Sequence, residues 1–161
     1  VVSGATSSSV ATLSTNIKAA QSLNVPEDMK NVGHIRALMP IGATFNMDGT
    51  SISLIIYFLL AAKLAGITVG FWWVILTAVG LSVGTAAVPS ASLVMLISMC
   101  NAFSIPTILI GKLLSIIIAI DPINDRIRTI VNTHGDLNTM YIVQSKRGIA
   151  SLFVKLFKNN K

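Results

Sequence analysis

Charge is what this sequence has least of. Only 11% of its 161 residues are charged, and six are acidic, whereas about a quarter of an ordinary soluble domain is charged. A chain with so few charges cannot clothe a soluble core. With 53% hydrophobic residues and a mean hydropathy of +0.75 it reads as a polytopic membrane protein or a piece of one. Cysteine is nearly missing too: Cys100 stands alone, which excludes an internal disulfide and leaves it to pack in an apolar helix. The two histidines, His34 and His134, have no second His, Cys or carboxylate at metal-ligand spacing, although His134 lies close to Asp136. There is no nucleophile elbow and no phosphate loop, and the run Ser7-Ser8-Ser9 has no base beside it, so nothing supports an enzyme. A signal peptide is lacking as well: the chain starts Val1-Val2-Ser3-Gly4, without a Met or a basic leader, as a fragment cut inside a structural element would.

The charges that remain are unevenly placed. The net charge is +6, but the placement does not suit nucleic acid. Lys18, Lys30 and Arg36 share one polar loop, and Lys146, Arg147, Lys155, Lys158 and Lys161 follow the last hydrophobic run. Lys63 is isolated at the other end of the first span. One basic face and one bare face follow the positive-inside pattern, so the basic face and the C-terminal tail are expected to be cytoplasmic. Glu27 and Asp28 sit in the polar loop, while Asp48, Asp121, Asp125 and Asp136 lie within or beside apolar segments. Carboxylates kept at membrane depth point to the handling of cations or amines.

What organises the chain is Asn46-Met47-Asp48-Gly49-Thr50, set between the apolar runs Ile35 to Phe45 and Ser51 to Ala62. An ionised Asp near the membrane centre costs roughly 2.5–3.5 kcal/mol. Unwound backbone at that depth survives where it lines a cavity or binds something. In transporters, broken helices of this kind coordinate sodium through carbonyls and a carboxylate. A polar kink in a soluble helical protein would look alike locally, but its flanks would not be so apolar.

The rest falls into place around that break. Val1 to Thr15 is rich in Ser and Thr. Composition alone suggests a disordered linker, and a membrane context suggests the tip and return arm of a re-entrant hairpin. Asn16 to Gly33 is polar, with a turn at Asn24-Val25-Pro26. Phe71 to Val83 and Ala91 to Met99 are apolar but shorter than the roughly 20 residues of a spanning helix. The Gly/Pro/Ser stretch 84–90 between them suggests a second re-entrant hairpin, with one Pro-kinked spanning helix as the alternative. Trp72 and Trp73 suit a membrane interface. Pro106 opens a last segment, Thr107 to Val143, in which Asp125, Arg128 and Asn132, and Thr129, Asn132 and Asp136, recur at three- and four-residue spacing. They form a polar stripe opposite Ile127, Ile130, Val131 and Leu137. A structural ion pair of Asp125 with Arg126 or Arg128 would also explain the charges. The tail Ser151 to Lys161 has the pattern of an amphipathic interfacial helix.

Three stretches resemble one family. Gly42-Ala43-Thr44-Phe45-Asn46-Met47-Asp48-Gly49-Thr50 resembles the signature of the dicarboxylate/amino acid:cation symporters, which include the excitatory amino acid (glutamate/aspartate) transporters. Ser7-Ser8-Ser9-Val10-Ala11-Thr12-Leu13 resembles their first hairpin tip. Asp125 to Asn132 with Gly135-Asp136 resembles their eighth membrane helix. The resemblance implies an all-α membrane protein with two re-entrant helical hairpins and two transmembrane helices, one broken at Asn46–Thr50. Residues 1–20 would be the first hairpin tip and return arm, 35–66 helix seven, 71–101 the second hairpin, 106–145 helix eight and 146–161 a cytoplasmic tail. Together these would be the C-terminal part of a transport domain, without the N-terminal scaffold, from a homotrimer of the plasma membrane.

The function implied is sodium-coupled symport of acidic amino acids. The alternatives are a transport-incompetent fragment or a neutral amino acid exchanger of the same family. The resemblance assigns sodium to the carbonyls of Gly42, Asn46 and Asn132 with the Asp136 carboxylate. A second sodium would meet carbonyls of Thr44, Ser82, Val83 and Thr85, and a third the side chains of Asn46 and Asp48. For substrate, Ser9 and Asn132 would hold the α-carboxylate, and Asp125 and Thr129, with carbonyls near Ser7 and Val88, the amino group. Arg128 and Thr50 would hold the side-chain carboxylate. The chain departs from the family pattern at Ser14, where a Pro is usual, and at Ala87, Ser90 and Ser92, which stand at glycine positions of the second hairpin. Leu54 occupies the place of the Glu that carries a proton in some members, so no proton coupling is expected there.

Overall fold

The structure, a computed structural model, describes residues 2–23 and 32–144. The turn expected at Asn24 to Pro26 and the tail expected over 146–161 lie outside the described residues. Among the described residues there are seven helices and no strand: α1 (Val2–Thr6), α2 (Leu13–Gln21), α3 (Val32–Phe45), α4 (Asp48–Ala65), α5 (Phe71–Val83), α6 (Ala91–Ala102) and α7 (Thr107–Gln144). The Ser/Thr-rich start is therefore a helix, a turn and a helix, and the linker reading from composition gives way. Thr12 spends its hydroxyl locally: Oγ1 donates to the carbonyls of Ser8 and Ser9, at 3.1 and 3.0 Å.

The break is narrower than 46–50. Only Asn46 and Met47 leave the helix, and α4 begins at Asp48. The first N–H groups of a helix have no partner within it, and here Asn132 Oδ1 on α7 accepts the N–H of Gly49 at 2.8 Å. Asp48 adds a carboxylate to the positive end of α4. Helix can therefore resume as soon as the chain reaches α7.

α3 and α4 run antiparallel along α7. Met39 clusters with Met140, Gly42 faces Asp136 and Gly49 lies on the backbone of Arg128. Farther along, Asn124 Nδ2 donates to the Tyr57 hydroxyl at 2.6 Å. Two apolar clusters result. The larger joins Leu54, Phe58 and Ala61 of α4 to Val74, Leu96, Met99, Leu113 and Ile117 of α5, α6 and α7, with Cys100 fully buried inside it. The smaller joins Ala20 of α2 to Ile35, Met39 and Met140. The polar stripe of α7 is buried between the two clusters.

Helices α5 and α6 pack against each other and both pack on α4, with residues 84–90 non-helical between them, so one continuous Pro-kinked helix is excluded. Two helical stretches, Val32–Ala65 and Thr107–Gln144, are long and apolar enough to cross a membrane. At about 1.5 Å per residue α7 is about 57 Å long, well beyond a hydrocarbon core of about 30 Å. Its outer face carries exposed Ile127, Ile130 and Val131. Leu137 does not join them: it is half-buried against the smaller cluster, because α2 and α3 cover that side of α7.

The approach of α4 to α7 depends on two glycines. A Cβ on Gly49 would lie 2.6 Å from the Arg128 carbonyl oxygen and 2.9 Å from its Cα. A Cβ on Gly135 would lie 2.6 Å from Asp48 Oδ2 and 2.9 Å from Asn46 Nδ2. Backbone atoms cannot turn aside as side chains do, so Gly49→Ala is expected to lower stability by about 1–3 kcal/mol. Gly80→Ala on α5, where a Cβ meets nothing within 4 Å, is expected to be neutral or stabilising. Thermal unfolding of both variants in detergent checks the contrast.

Candidate functional site

Four segments close over one small cavity, of about 20 Å³. Ser7 and Ser9 come from the α1–α2 turn, Thr50 from the start of α4, and Val88 from the α5–α6 turn. Asp125, Arg128, Thr129 and Asn132 come from α7. All eight residues expected around the substrate thus face one space, although they are spread over more than a hundred positions of the chain. The space admits about one water molecule. Beside it, Ser8 Oγ donates to the Ala87 carbonyl at 2.7 Å and so joins the two turns.

Arg128 is the centre of the cluster. It is 3% exposed, and its Nη2 donates to Asp121 Oδ1 and to Asp125 Oδ1, each at 2.8 Å. Its Nη1 is buried with no hydrogen-bond partner. The second oxygen of each carboxylate is taken by one residue. Ser90 Oγ donates to Asp121 Oδ2 at 2.7 Å, and the Ser90 N–H donates to Asp125 Oδ2 at 3.2 Å. The expected ion pair thus exists with Arg128, not with Arg126, which is exposed. It also leaves one guanidinium nitrogen for something else.

Ser90 reaches both carboxylates by adopting a left-handed backbone, φ +59°. Such a conformation costs a non-glycine residue on the order of 1–2 kcal/mol, and the two bonds to ionised acceptors offset it. Ala87 and Ser92 are not in that region, so of the three departures from glycine only Ser90 stands where glycine would be conformationally favoured.

Asn132 is more committed than its expected role suggests. Its Oδ1 accepts from Gly49, and its Nδ2 is shared between Met47 Sδ and Thr50 Oγ1, both at 3.3 Å. The amide holds the break in α3–α4 to α7 before it can hold a ligand.

The residues expected to meet cations divide. Gly42, Asn46 and Asp136 line one cavity. Asn46 Nδ2 donates to Asp136 Oδ1 at 3.2 Å, while Asp136 Oδ2 is buried without a partner. Asn46 and Asp48 converge over Gly135. The remaining set is looser. Ser82 is buried and accepts from Ser51 Oγ at 2.7 Å, and Thr85 lines the Arg128 cavity, but Thr44 and Val83 are exposed. No cluster of three His, Cys, Asp or Glu side chains occurs among the described residues, so any cation held here would meet mainly carbonyl and single carboxylate oxygens. That set suits a hard monovalent ion better than a transition metal.

Three participants are not in the expected set: Asp121, Ser90 and Ser92. Asp121 was legible, since it lies seven residues before Arg128 and four before Asp125 and so extends the same helical stripe. Ser90 was not, because nothing local announces a left-handed serine aimed at a distant helix.

The described residues thus form an all-helical body with many exposed apolar side chains, a broken helix and a polar cavity, and two of its helical stretches are long and apolar enough to cross a membrane. The model of the sodium:dicarboxylate symporter family matches residues 1–146, and the chain belongs to that family. Over 104 residues it is 39% identical to the excitatory amino acid transporter of Onchocerca volvulus, covering 63% of this chain and 20% of that protein. Over 133 residues it is 35% identical to excitatory amino acid transporter 3 of Homo sapiens, covering 81% and 24%. With human excitatory amino acid transporter 2 the identity is 36% over 104 residues, covering 63% and 17%. The chain therefore spans about a sixth to a quarter of the length of these curated relatives. The family and these relatives are transporters, not enzymes.

Ser90→Ala deletes the bond to Asp121 and keeps the backbone bond to Asp125. Amide hydrogen exchange across residues 84–90 is expected to speed up by about tenfold, the weight of one hydrogen bond to a carboxylate. Unchanged exchange would mean that something other than Ser90 holds the turn.

Proposed function

We propose that these residues form the C-terminal part of the transport core of a sodium-coupled carrier of acidic amino acids, working by alternating access. One observation carries the reading: a buried arginine of the cavity wall whose Nη2 is held by two carboxylates while its Nη1 has no partner. An unpaired guanidinium nitrogen in a water-poor site is costly and calls for an acceptor, and a carboxylate fits it best. Asp125, on the same cavity wall, suits an ammonium group. An amino acid with a second carboxylate supplies both partners, one helical turn apart.

The α1–α2 and α5–α6 pairs are read as two re-entrant hairpins whose tips meet at Ser8 and Ala87, α3–α4 as the broken membrane helix and α7 as the last one. The boundaries are 1–20, 35–66, 71–101 and 106–145, with the tail over 146–161 cytoplasmic. Because the cavity holds only about one water, a substrate enters when the α5–α6 turn withdraws and Ser90 releases Asp121 and Asp125. Arg128 and Thr50 then hold the distal carboxylate, and Asp125 and Thr129 the amino group. Ser9 and Asn132 hold the α-carboxylate, and carbonyls near Ser7 and Val88 complete the cage.

Sodium is the coupled cargo. Asp136 with carbonyls of Gly42, Asn46 and Asn132 forms one site, and Asn46 with Asp48 another. Thr44, Ser82, Val83 and Thr85 form a third once the turn has settled. Leu54 is buried among apolar side chains and carries no proton. The complete carrier is read as a plasma-membrane homotrimer.

Two measurements test this on the natural full-length chain. Arg128→Cys is expected to weaken aspartate binding by about 100-fold or more and to admit small neutral amino acids such as serine. A wild type that binds serine as tightly as aspartate, or a variant that keeps aspartate, would overturn the assignment. Asp136→Asn keeps the shape and removes a buried charge. Sodium bound to the native state raises its melting temperature by mass action, and the variant is expected to lose that sodium dependence while folding at least as stably in its absence. A retained sodium-dependent shift would remove Asp136 from the site.

A further inference from the structure

Arg128 Nη1 is not the only buried atom in the cavity that lacks a partner. Ser92 Oγ is buried and also bonded to nothing, on a residue only 5% exposed that lines the same space. Serine in a helix ordinarily discharges its hydroxyl on a carbonyl one turn back. Ser98 does so on Val94 at 3.0 Å, and Ser115 on Gly111 at 3.0 Å. Ser92, in the first turn of α6, does not. It lies two residues beyond Ser90: Ser90 donates to the two carboxylates that hold Arg128, while Ser92 lines the same cavity as Arg128.

A buried hydroxyl left unmade is expensive. Two orphaned groups lining one small cavity are most simply satisfied together, and both of these donate. A substrate carboxylate offers two acceptor oxygens for this pair of donors. We infer that Ser92 is a further substrate-binding and specificity-determining residue, whose hydroxyl donates to the same distal carboxylate that Arg128 Nη1 holds. This rests on the acidic-substrate reading above and extends it.

Ser92 belongs to α6 and Arg128 to α7. A carboxylate accepting from both therefore ties the withdrawing segment to the fixed one, so the distal group of the substrate is read again as the cavity closes. A neutral amino acid leaves both donors bare. Selection against it is then expressed in the closed state as well as on first contact.

The test is competition binding on the full-length chain at fixed sodium, with aspartate and serine as competitors, for the wild type, Ser92→Ala and Ser92→Gly. Both variants remove the hydroxyl, and glycine also removes the methylene, so a shared effect reports the hydroxyl. Each is expected to weaken aspartate by about tenfold or more and to leave serine within about twofold. The aspartate-over-serine preference falls by the same factor, and sodium-dependent thermal stabilisation persists as evidence of folding. Aspartate binding unchanged in Ser92→Ala, or an equal loss of aspartate and serine, overturns the role of Ser92 alone. A wild type with no preference for aspartate overturns the acidic-substrate reading, and this inference with it.

Discussion

A buried guanidinium with one nitrogen doubly held and the other free is the constraint to which the rest of the structure answers. Charges taken out of water return their desolvation cost only when geometry and hydrogen bonding are good. Here two carboxylates flank one arginine between two apolar clusters. Each carboxylate gives one oxygen to Arg128 and its other to Ser90. The left-handed serine, the meeting of the two turns and the small volume of the cavity all follow from closing that ring. Removing any one member leaves a buried polar atom without a partner, at a cost of about 1–3 kcal/mol.

The apolar parts explain why such a cluster is tolerated. The larger cluster, around Phe58, Leu96 and Leu113, and the smaller one, around Ile35 and Met140, lie on either side of the polar belt. Each is built from helices that also present side chains to the belt. α7 belongs to both clusters and carries most of the buried charge. The belt can therefore rearrange while the packing that sets the helix axes is left in place. The α5–α6 turn is tied to this belt by Ser90, which donates to Asp121 and Asp125, and to the α1–α2 turn by the Ser8–Ala87 bond.

Much of this was legible in the sequence. The span of α5 was marked by the apolar run Phe71 to Val83, the start of α7 by Pro106, and the stripe through Asp125, Arg128, Asn132 and Asp136 by helical spacing. Periodicity reports which residues of one helix share a face, so it served wherever the site is one helix deep. It failed where contact is made across the chain. That Asn132 caps α4, shortening the break to Asn46 and Met47, depends on a partner eighty-three positions from Gly49. That composition suggested a linker over the first fifteen residues reflects the same limit: a Ser/Thr-rich segment looks unstructured until its hydroxyls find carbonyls, as Thr12 finds those of Ser8 and Ser9.

The glycine contact between α4 and α7 has a mechanical meaning. At Gly49 the start of α4 rests on the main chain of Arg128, with no room for even a methyl group between them. Side chains act as springs because they can change rotamer, whereas main chain against main chain behaves as a pinned joint. Displacement of the break is then passed to the stretch of α7 bearing Arg128 without play, and displacement of that stretch is passed back.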